Sequence, residues 1–449
     1  MKRSIYLIIA AVLVLGMTAG CTSDNSSPPV ADTAPDANNA STASAANTTA
    51  PAAAGEEITL TLLSTTLSEL PDGDVERKMI ETYMEQNPHI TIETSTVSSN
   101  DMLPKITAMV TANDAPDIFT GFTGNIVPLI DMNAIEPLDD LLGKAYVDDV
   151  AEAVKGEVFY NDTLYIAPWG AIPTGFVYRK DIFDEAGLQP PRTFDEVADI
   201  LKPLTGDGKY GLALIASNNS SAAGRFIPML RNCGAAEIKE DGGKYITEIN
   251  SPGGIAILNF FYQWANVDKI TPVGVGETDH AAAINLLATE QAYATFTGPH
   301  TIGSVVEQTP SLRGKFAVAP MPTLNPSDKS VATGNINGFS IYSKSTHKVE
   351  AAAYLAFLTS PANFEVYNAA TNRLPPLKSQ VTDAVKNNPV SAGFITALDN
   401  AYPLLLTPYN GDITNILASA LNAMATGAET DAAAVAADAE EKINQVLNR

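Results

Sequence analysis

The chain has 449 residues, a formal charge of −24 and two cysteines. A strongly acidic chain repels phosphate backbones, so nucleic acid is excluded as a partner. Two cysteines cannot form the disulfide framework of a small secreted domain. From residue 56 onward the composition is globular and the length exceeds that of a single hydrophobic core, which predicts two domains.

Residues 1–20 have the pattern of an export signal. Two basic residues precede an apolar run of eleven residues at 5–15, which is too short for a membrane-spanning helix of about 20 residues. Small residues then lead to Cys21, and this boundary resembles the lipobox of bacterial lipoproteins, although Thr18 stands where leucine is commoner. The resemblance implies that residues 1–20 are a lipoprotein signal peptide and that Cys21 is acylated. Ordinary signal cleavage is the alternative.

The segment that follows is predicted to be a disordered tether. Residues 22–54 are small or polar apart from Val30, so they cannot bury enough surface to offset the entropy of ordering. A flexible coil of this length reaches roughly 30–35 Å. Cys21 and the tether, residues 21–55, would therefore hold a folded domain just outside the bacterial cell membrane.

The first part of the globular region predicts a parallel sheet. Alternating β-rich stretches predict strands, and apolar residues at helical spacing between them predict amphipathic helices. A strand–helix–strand–helix–strand order is typical of a parallel sheet with helices on its faces. The predicted elements are strands at 58–63, 89–97 and 117–119 and helices at 75–84 and 102–110.

Later segments predict a hairpin, further helices and another strand. Residues 158–166 surround an Asn-Asp turn, and residues 193–196 form a capping box at a helix start. A strand is predicted at 210–215, and helices at 351–367 and 428–447.

No complete catalytic motif is apparent, so we expect no enzyme, no metal and no cofactor. The four histidines have no metal-ligand spacing, and neither a nucleophile elbow nor a Walker loop occurs. Residues 206–211 match a dinucleotide-binding pattern but precede a strand, so a turn is favoured. Asp72 and Asp74 lack the other ligands of a calcium loop. A glycosidase pair of carboxylates stays open as the enzyme alternative.

The order of local motifs resembles the family 1 extracellular solute-binding proteins of ABC importers, the maltodextrin-binding-like group. The similarity runs from about residue 58 to the C-terminus. The motifs that carry it are Glu-Gln-Asn-Pro-His-Ile at 85–90, the segment 105–119, Ala-Ile-Glu-Pro-Leu-Asp at 134–139, Tyr-Ile-Ala-Pro at 165–168, Val-Tyr-Arg-Lys-Asp-Ile-Phe at 177–183, Glu-Ala-Gly-Leu at 185–188, Pro-Arg-Thr-Phe-Asp-Glu at 191–196, Ala-Pro-Met-Pro at 319–322, the segment 335–341 and Arg-Leu-Pro-Pro at 373–376.

The resemblance implies an α/β fold of the periplasmic-binding type, class II, with two hinged lobes and a ligand cleft between them. Segment matching places lobe one at 56–124 plus 318–380 and lobe two at 125–317 plus 381–449. It implies a monomer that captures a carbohydrate and delivers it to ABC permease subunits at the membrane. A polyamine, a peptide or a metal complex is the alternative ligand, and a secreted glycan-degrading enzyme is a further alternative.

Sugars present apolar ring faces and a rim of hydroxyls, which aromatic and polar side chains suit. Trp169, beside a hinge motif, is a candidate for stacking, with core packing as the alternative, whereas Trp264 is expected in the core. The resemblance adds residues near strand ends and hinge segments. The further candidates are Ser64, Thr65, Phe122, Thr123, Asn125, His300, Asn335, Asn337 and Tyr409.

Two residues are expected to be structural. Arg373, before Leu-Pro-Pro, is expected to form a salt bridge rather than to contact ligand. Cys233 has no partner if Cys21 carries lipid, so it is expected to behave as a small buried apolar residue.

Overall fold

The computed structural model describes residues 57–448 apart from Asn100, Thr123, Asn125, Gly334, Pro389, residues 391–400, Pro403, Leu404 and Leu406. The predicted signal peptide, Cys21 and the tether therefore lie outside the described residues. So do the candidate ligand residues Thr123 and Asn125. Within the described part, no helix is both long and apolar enough to cross a membrane.

Strands and helices alternate along the described chain. The strands are β1 (Ile58–Ser64), β2 (Ile90–Thr96), β3 (Ile118–Gly121), β4 (Phe159–Tyr160), β5 (Thr163–Leu164), β6 (Ala167–Ala171), β7 (Gly175–Arg179), β8 (Tyr210–Leu212), β9 (Lys239–Asp241), β10 (Lys244–Ile246), β11 (Ala292–Thr297), β12 (Phe316–Ala319), β13 (Ala332–Thr333), β14 (Ile336–Ile341) and β15 (Ala401–Tyr402).

The helices cover the faces of the sheets. They are α1 (Asp72–Gln86), α2 (Met102–Thr111), α3 (Ile126–Asp131), α4 (Asp139–Leu142), α5 (Lys144–Asp149), α6 (Glu152–Val158), α7 (Lys180–Glu185), α8 (Phe194–Leu201), α9 (Ser220–Asn232), α10 (Pro252–Tyr262), α11 (His280–Ala288), α12 (His300–Gln308), α13 (Lys348–Leu358), α14 (Pro361–Thr371), α15 (Asp383–Lys386), α16 (Asn410–Thr426) and α17 (Ala432–Leu447).

The first lobe is built on a five-stranded sheet in the order β2-β1-β3-β14-β6. Strand β1 pairs in parallel with β2 and with β3, as the strand–helix alternation predicted. Strand β14 then joins antiparallel to β3, and β6 joins antiparallel to β14. Residues such as Leu60 on β1 and Tyr354 on α13 are fully buried in the core beneath this sheet.

The second lobe is built on a four-stranded sheet in the order β12-β7-β11-β8. Its core contains the fully buried aromatic rings of Phe176, Phe194 and Phe226. Trp264 lies in the same core, stacked on Phe296 with ring centroids 5.7 Å apart, which confirms its predicted role. The two sheets and their separate cores confirm the expected two-lobed α/β fold.

The predicted boundary between the lobes at residue 125 is wrong. Residues 126–171 stay with the first lobe, because β6 completes its sheet and α6 contributes Val154 and Val158 to its core. The chain crosses between β6 and β7 instead. The predicted boundary at residue 318, where the chain was expected to re-enter the first lobe, is also wrong. Strand β12 pairs with β7 and therefore belongs to the second lobe.

Two further crossings connect the lobes. One lies between β12 and β14. The other lies between α15, whose Val385 is in the first core, and α16, whose Ile413 is in the second. Strands β13 and β15 lie on these two crossings and pair in parallel with each other.

Most local predictions agree with the structure, and one helix prediction does not. The capping box joins Thr193 and Glu196, and the hairpin β4–β5 turns at Asn161 and Asp162, both at positive φ. The single helix predicted over 351–367 is two helices, because Pro361 cannot continue α13 and instead occupies the first turn of α14.

Cys233 is a free, buried thiol at the end of α9, as expected. Burial raises the pKa of the thiol to about 12. The thiolate is therefore scarce at neutral pH, and the side chain acts as a small apolar group.

Candidate functional site

A cleft of about 950 Å³ lies between the two lobes. Thr65 and Phe122, which follow β1 and β3, line its first wall together with the start of α1. These positions meet because β1 and β3 are parallel neighbours, so their carboxyl ends reach the same edge of the sheet. The cleft therefore occupies the edge at which open α/β sheets bind ligands.

Helix N-termini form much of the second wall. Asn219 caps α9 by accepting from the Ala222 amide at 3.2 Å, and Asp279 caps α11 by accepting from the Ala282 amide at 2.9 Å. His300 begins α12 and also lines the cleft. The amides at a helix start carry a partial positive charge, so this wall favours ligand oxygen atoms.

Most of the residues that line the cleft are polar. Of its 24 residues five are apolar: Leu70, Phe122, Ile172, Ala281 and Ile284. Phe122 supplies the one hydrocarbon aromatic ring among these lining residues. A ligand of this cleft would therefore form many hydrogen bonds and contact one aromatic ring.

A buried polar network lies at the floor of the first wall. Asp72 Oδ1 accepts from Arg373 Nε at 2.5 Å and from the Tyr367 hydroxyl at 2.7 Å. Asn337 Nδ2 donates to the Tyr367 oxygen at 3.0 Å. Arg373 thus forms the salt bridge that the sequence predicted. It also lines the cleft, so its structural role does not exclude ligand contact.

Trp169 lies in the core of the first lobe rather than on the cleft wall. Its side chain has no exposed surface. The indole stacks on Tyr367 with ring centroids 3.8 Å apart and planes 2° apart, and Phe339 packs at 5.7 Å. Of the two roles considered for Trp169, stacking on ligand or packing in the core, the structure therefore supports core packing, and Trp169 supports the Tyr367 ring beneath the cleft.

Two histidines that are distant in sequence meet in the cleft. The rings of His280 and His300 lie 5.0 Å apart between centroids, and His280 Nε2 is 3.0 Å from the Thr301 hydroxyl. Burial lowers the pKa of both imidazoles well below the ordinary value, and the nearby guanidinium groups lower it further. Both rings are therefore neutral at pH 7 and offer one donor and one acceptor each.

Arg225 brings a positive charge to the second wall. Its Nη1 donates to the Ser221 carbonyl at 2.9 Å, and its Nε donates to the Thr297 hydroxyl at 3.4 Å. Burial lowers the pKa of Arg225 to about 10, against the attraction of Glu69 and Asp279. Across the described chain no carboxylate lies within 4.0 Å of this guanidinium.

Glu69 faces this charge from the first wall. Glu69 lines the cleft, and desolvation by the surrounding protein raises the pKa of its carboxyl group, although Arg373 opposes that shift. Glu69 and Arg225 thus place opposite charges on the two walls.

Four of the ten predicted ligand residues line the cleft, and four others do not. Thr65, Phe122, His300 and Asn337 line it. The side chain of Ser64 is buried and donates to Glu76 Oε2 at 2.8 Å. The remaining positions away from the lining are Trp169, Asn335, whose carbonyl accepts from the Ile172 amide, and Tyr409, which packs on the second core.

Sequence reasoning missed several lining residues. Arg225 and His280 lie on α9 and α11, which the predicted elements did not include. Asp72 was considered only for calcium, and across the described residues no cluster of three metal-binding side chains occurs. A signal for Arg225 was present: it lies with Phe226, Ile227 and Leu230 on a helical stretch whose first turn is small and polar.

The fold and the cleft define a protein that binds a solute between two lobes. The chain belongs to the bacterial extracellular solute-binding protein family, whose model matches residues 68–363.

Individual proteins show the same relationship. A binding protein of Brucella abortus is 24% identical over 370 residues, which are 81% of this chain and 87% of the relative. The melibiose/raffinose/stachyose-binding protein of Bacillus subtilis is 23% identical over 402 residues, covering 83% and 80% of the two chains. A solute-binding protein of Thermotoga lettingae with bound α-D-tagatose has a TM-score of 0.78 at 20% identity, covering 87% of this chain and 99% of the other, and so shares the fold.

Proposed function

We propose that this protein captures a carbohydrate between its lobes, as a monomer, and delivers it to the membrane subunits of an ABC importer. The observation that carries the proposal is a cleft whose described lining residues are mostly polar, include one hydrocarbon aromatic ring, Phe122, and adjoin a buried hydrogen-bonded floor. Sugars combine apolar ring faces with many hydroxyls, which this lining suits. Relatives that bind melibiose, raffinose and stachyose or tagatose support the same class of ligand.

The lobes already touch across the cleft. The Ser304 hydroxyl on α12 donates to the Leu70 carbonyl, just before α1, at 3.0 Å. A ligand that contacts both walls gains all its contacts only when the lobes approach each other. Binding therefore shifts the population toward the closed form.

Charge favours a second candidate ligand. The cleft is lined by Arg225 and Arg373 but also by four carboxylates, from Glu69, Asp72, Asp279 and Glu307. An acidic cleft suits a cation such as a polyamine. We favour the carbohydrate because Asp72 is already paired with Arg373 and Asp279 caps α11, which leaves fewer carboxylates for a cation.

A thermal-shift panel separates these ligands. A solute that binds only the folded protein raises the melting temperature by mass action. We expect a rise with at least one neutral sugar among D-glucose, D-galactose, D-tagatose, melibiose and raffinose, and none with spermidine or oligopeptides. A rise with spermidine alone would contradict the carbohydrate proposal. Turnover of a glycan to product would contradict our proposal that the protein is not an enzyme.

We propose that acylated Cys21 holds the protein on the outer face of the membrane. The support is the sequence pattern, an apolar signal that ends in small residues before Cys21 and is followed by a polar tether. Expression of Cys21→Ser should move the protein from the membrane fraction to the soluble fraction while sugar affinity stays unchanged. A Cys21→Ser protein that stays on membranes would exclude the lipid anchor, and Cys233→Ser is the matched control because that thiol is buried in the second lobe.

A further inference from the structure

Three buried polar atoms of cleft-lining residues have no hydrogen-bond partner within the described part of the chain. They are Arg373 Nη1, Asn337 Oδ1 and His300 Nδ1. The three residues are 3%, 5% and 8% exposed, and all of them line the cleft. An unpaired buried polar group is costly, so these atoms point to a partner that is supplied from the cleft.

The hydrogen bonds around the floor determine that Asn337 Oδ1 is an acceptor and that Arg373 Nη1 is a donor. The Asp72 carboxylate can only accept, so the Tyr367 hydroxyl donates its proton to it. The Tyr367 oxygen then accepts from Asn337, which must present its amide nitrogen to the tyrosine. Asn337 Oδ1 is therefore left as an acceptor, and the protonated Arg373 Nη1 is a donor.

The two residues that carry the donor and the acceptor are neighbours at the floor. Both Arg373 and Asn337 pack over Gly170, where an added Cβ would meet Arg373 Cδ at 2.9 Å and Asn337 Oδ1 at 3.0 Å. The absence of a side chain at Gly170 thus leaves room for both groups at the floor. His300 lies on the opposite wall, where its Nδ1 would be 2.8 Å from a Cβ on Gly298.

On the basis of the proposed carbohydrate function, we propose that the floor binds one neutral hydroxyl, which accepts from Arg373 Nη1 and donates to Asn337 Oδ1. His300 Nδ1 binds a neighbouring oxygen of the same sugar from the other wall. A hydroxyl donates and accepts at once, so it satisfies both atoms. A carboxylate would place an acceptor against Asn337 Oδ1, and an ammonium would place a cation against Arg373.

At one position of the sugar, the floor therefore selects a neutral hydroxyl over a charged substituent. Asn337 contacts the ligand directly. Tyr367 acts through Asn337 as a positioning residue, because its hydroxyl holds the amide in the one orientation that leaves the oxygen free.

The test is calorimetric titration of the tightest-binding hexose in the panel and its monodeoxy and monoamino analogues. One deoxy position is expected to weaken binding to the wild-type protein by about tenfold or more, because both floor atoms stay unpaired. The amino analogue at that position should bind no better than the deoxy analogue. In Asn337→Ala the affinity difference between the parent sugar and this deoxy analogue should be clearly smaller than in the wild type, since only the Arg373 Nη1 donor then distinguishes the two sugars.

Two further variants test whether the effect of the deoxy substitution depends on the floor. Phe122→Ala, which leaves the polar groups of the floor unchanged, should weaken binding of the parent sugar and of every analogue by the same factor. Tyr367→Phe removes only the hydroxyl that orients the Asn337 amide. It should reduce the affinity difference between the parent sugar and the deoxy analogue without abolishing binding. If Asn337→Ala does not fold, the Tyr367→Phe comparison decides.

The outcomes separate the two proposals. Sugar binding with no deoxy position coupled to Asn337 or Tyr367 would mean that the floor holds water only, and it would overturn this inference while the carbohydrate function stands. A coupled position at which the amino analogue binds more tightly than the parent sugar would also overturn it. Failure of every neutral sugar to bind would overturn the carbohydrate function and the inference together.

Discussion

Replacing Trp169 with alanine is expected to lower the free energy of unfolding by about 3–5 kcal/mol. The indole is fully buried, and it packs face to face on Tyr367 and against Phe339. Its removal leaves a cavity directly beneath the cleft floor. Urea unfolding followed by circular dichroism measures the change.

Phe122→Ala is the matched control, because this ring is on the cleft wall and only half-buried. We expect roughly a tenfold loss of sugar affinity, since an aromatic contact contributes about 0.5–1.5 kcal/mol beyond area burial. The loss of stability should be smaller than that of Trp169→Ala. A Trp169→Ala protein of normal stability that loses affinity would show that Trp169 contacts ligand after all.

Replacing Arg373 with methionine is expected to cost about 3–5 kcal/mol of folding free energy, because it leaves the Asp72 carboxylate buried without a cation. Both side chains of the pair are almost fully buried. Methionine retains much of the apolar volume, so the change reports mainly on the charge. The free energy of unfolding at pH 7 is the quantity to measure.

The double variant Asp72→Asn/Arg373→Met isolates the interaction. Both charges are then absent, and we expect much of the lost stability to return, since two neutral groups need no ion pair. If the free energy of unfolding of Arg373→Met differs from that of the wild type by less than about 1 kcal/mol, the ion pair is not a structural element of the floor. Sugar affinity should stay reduced in both variants, because both lack the Nη1 donor.

The fold was largely predictable because its local patterns are strong. Alternating strands and amphipathic helices up to β3 gave the parallel order of the first sheet. The lobe boundary was not predictable in the same way, because β6 joins the first lobe through pairing with β14, more than 160 residues further along. Helices α3 to α6 have four to seven residues, which is too short for a clear periodic pattern.

The cleft was only partly predictable for a related reason. All five residues of β6 are buried, because the strand is covered on both faces, so alternation cannot show which way Trp169 points. The structure places Trp169 beneath the cleft, but the sequence could not show that its ring packs in the core. The pairing of His280 with His300 depends on how α11 packs against α12, and no spacing in the sequence reveals that contact.

Small-angle X-ray scattering tests the central claim most directly, namely that a carbohydrate is captured by closure of two lobes. The cleft of about 950 Å³ is lined by residues of both lobes. With a saturating neutral sugar, whose binding is verified by calorimetry on the same sample, we expect a smaller radius of gyration and a shorter maximum dimension. Superimposable scattering profiles of the free and sugar-saturated protein would contradict it.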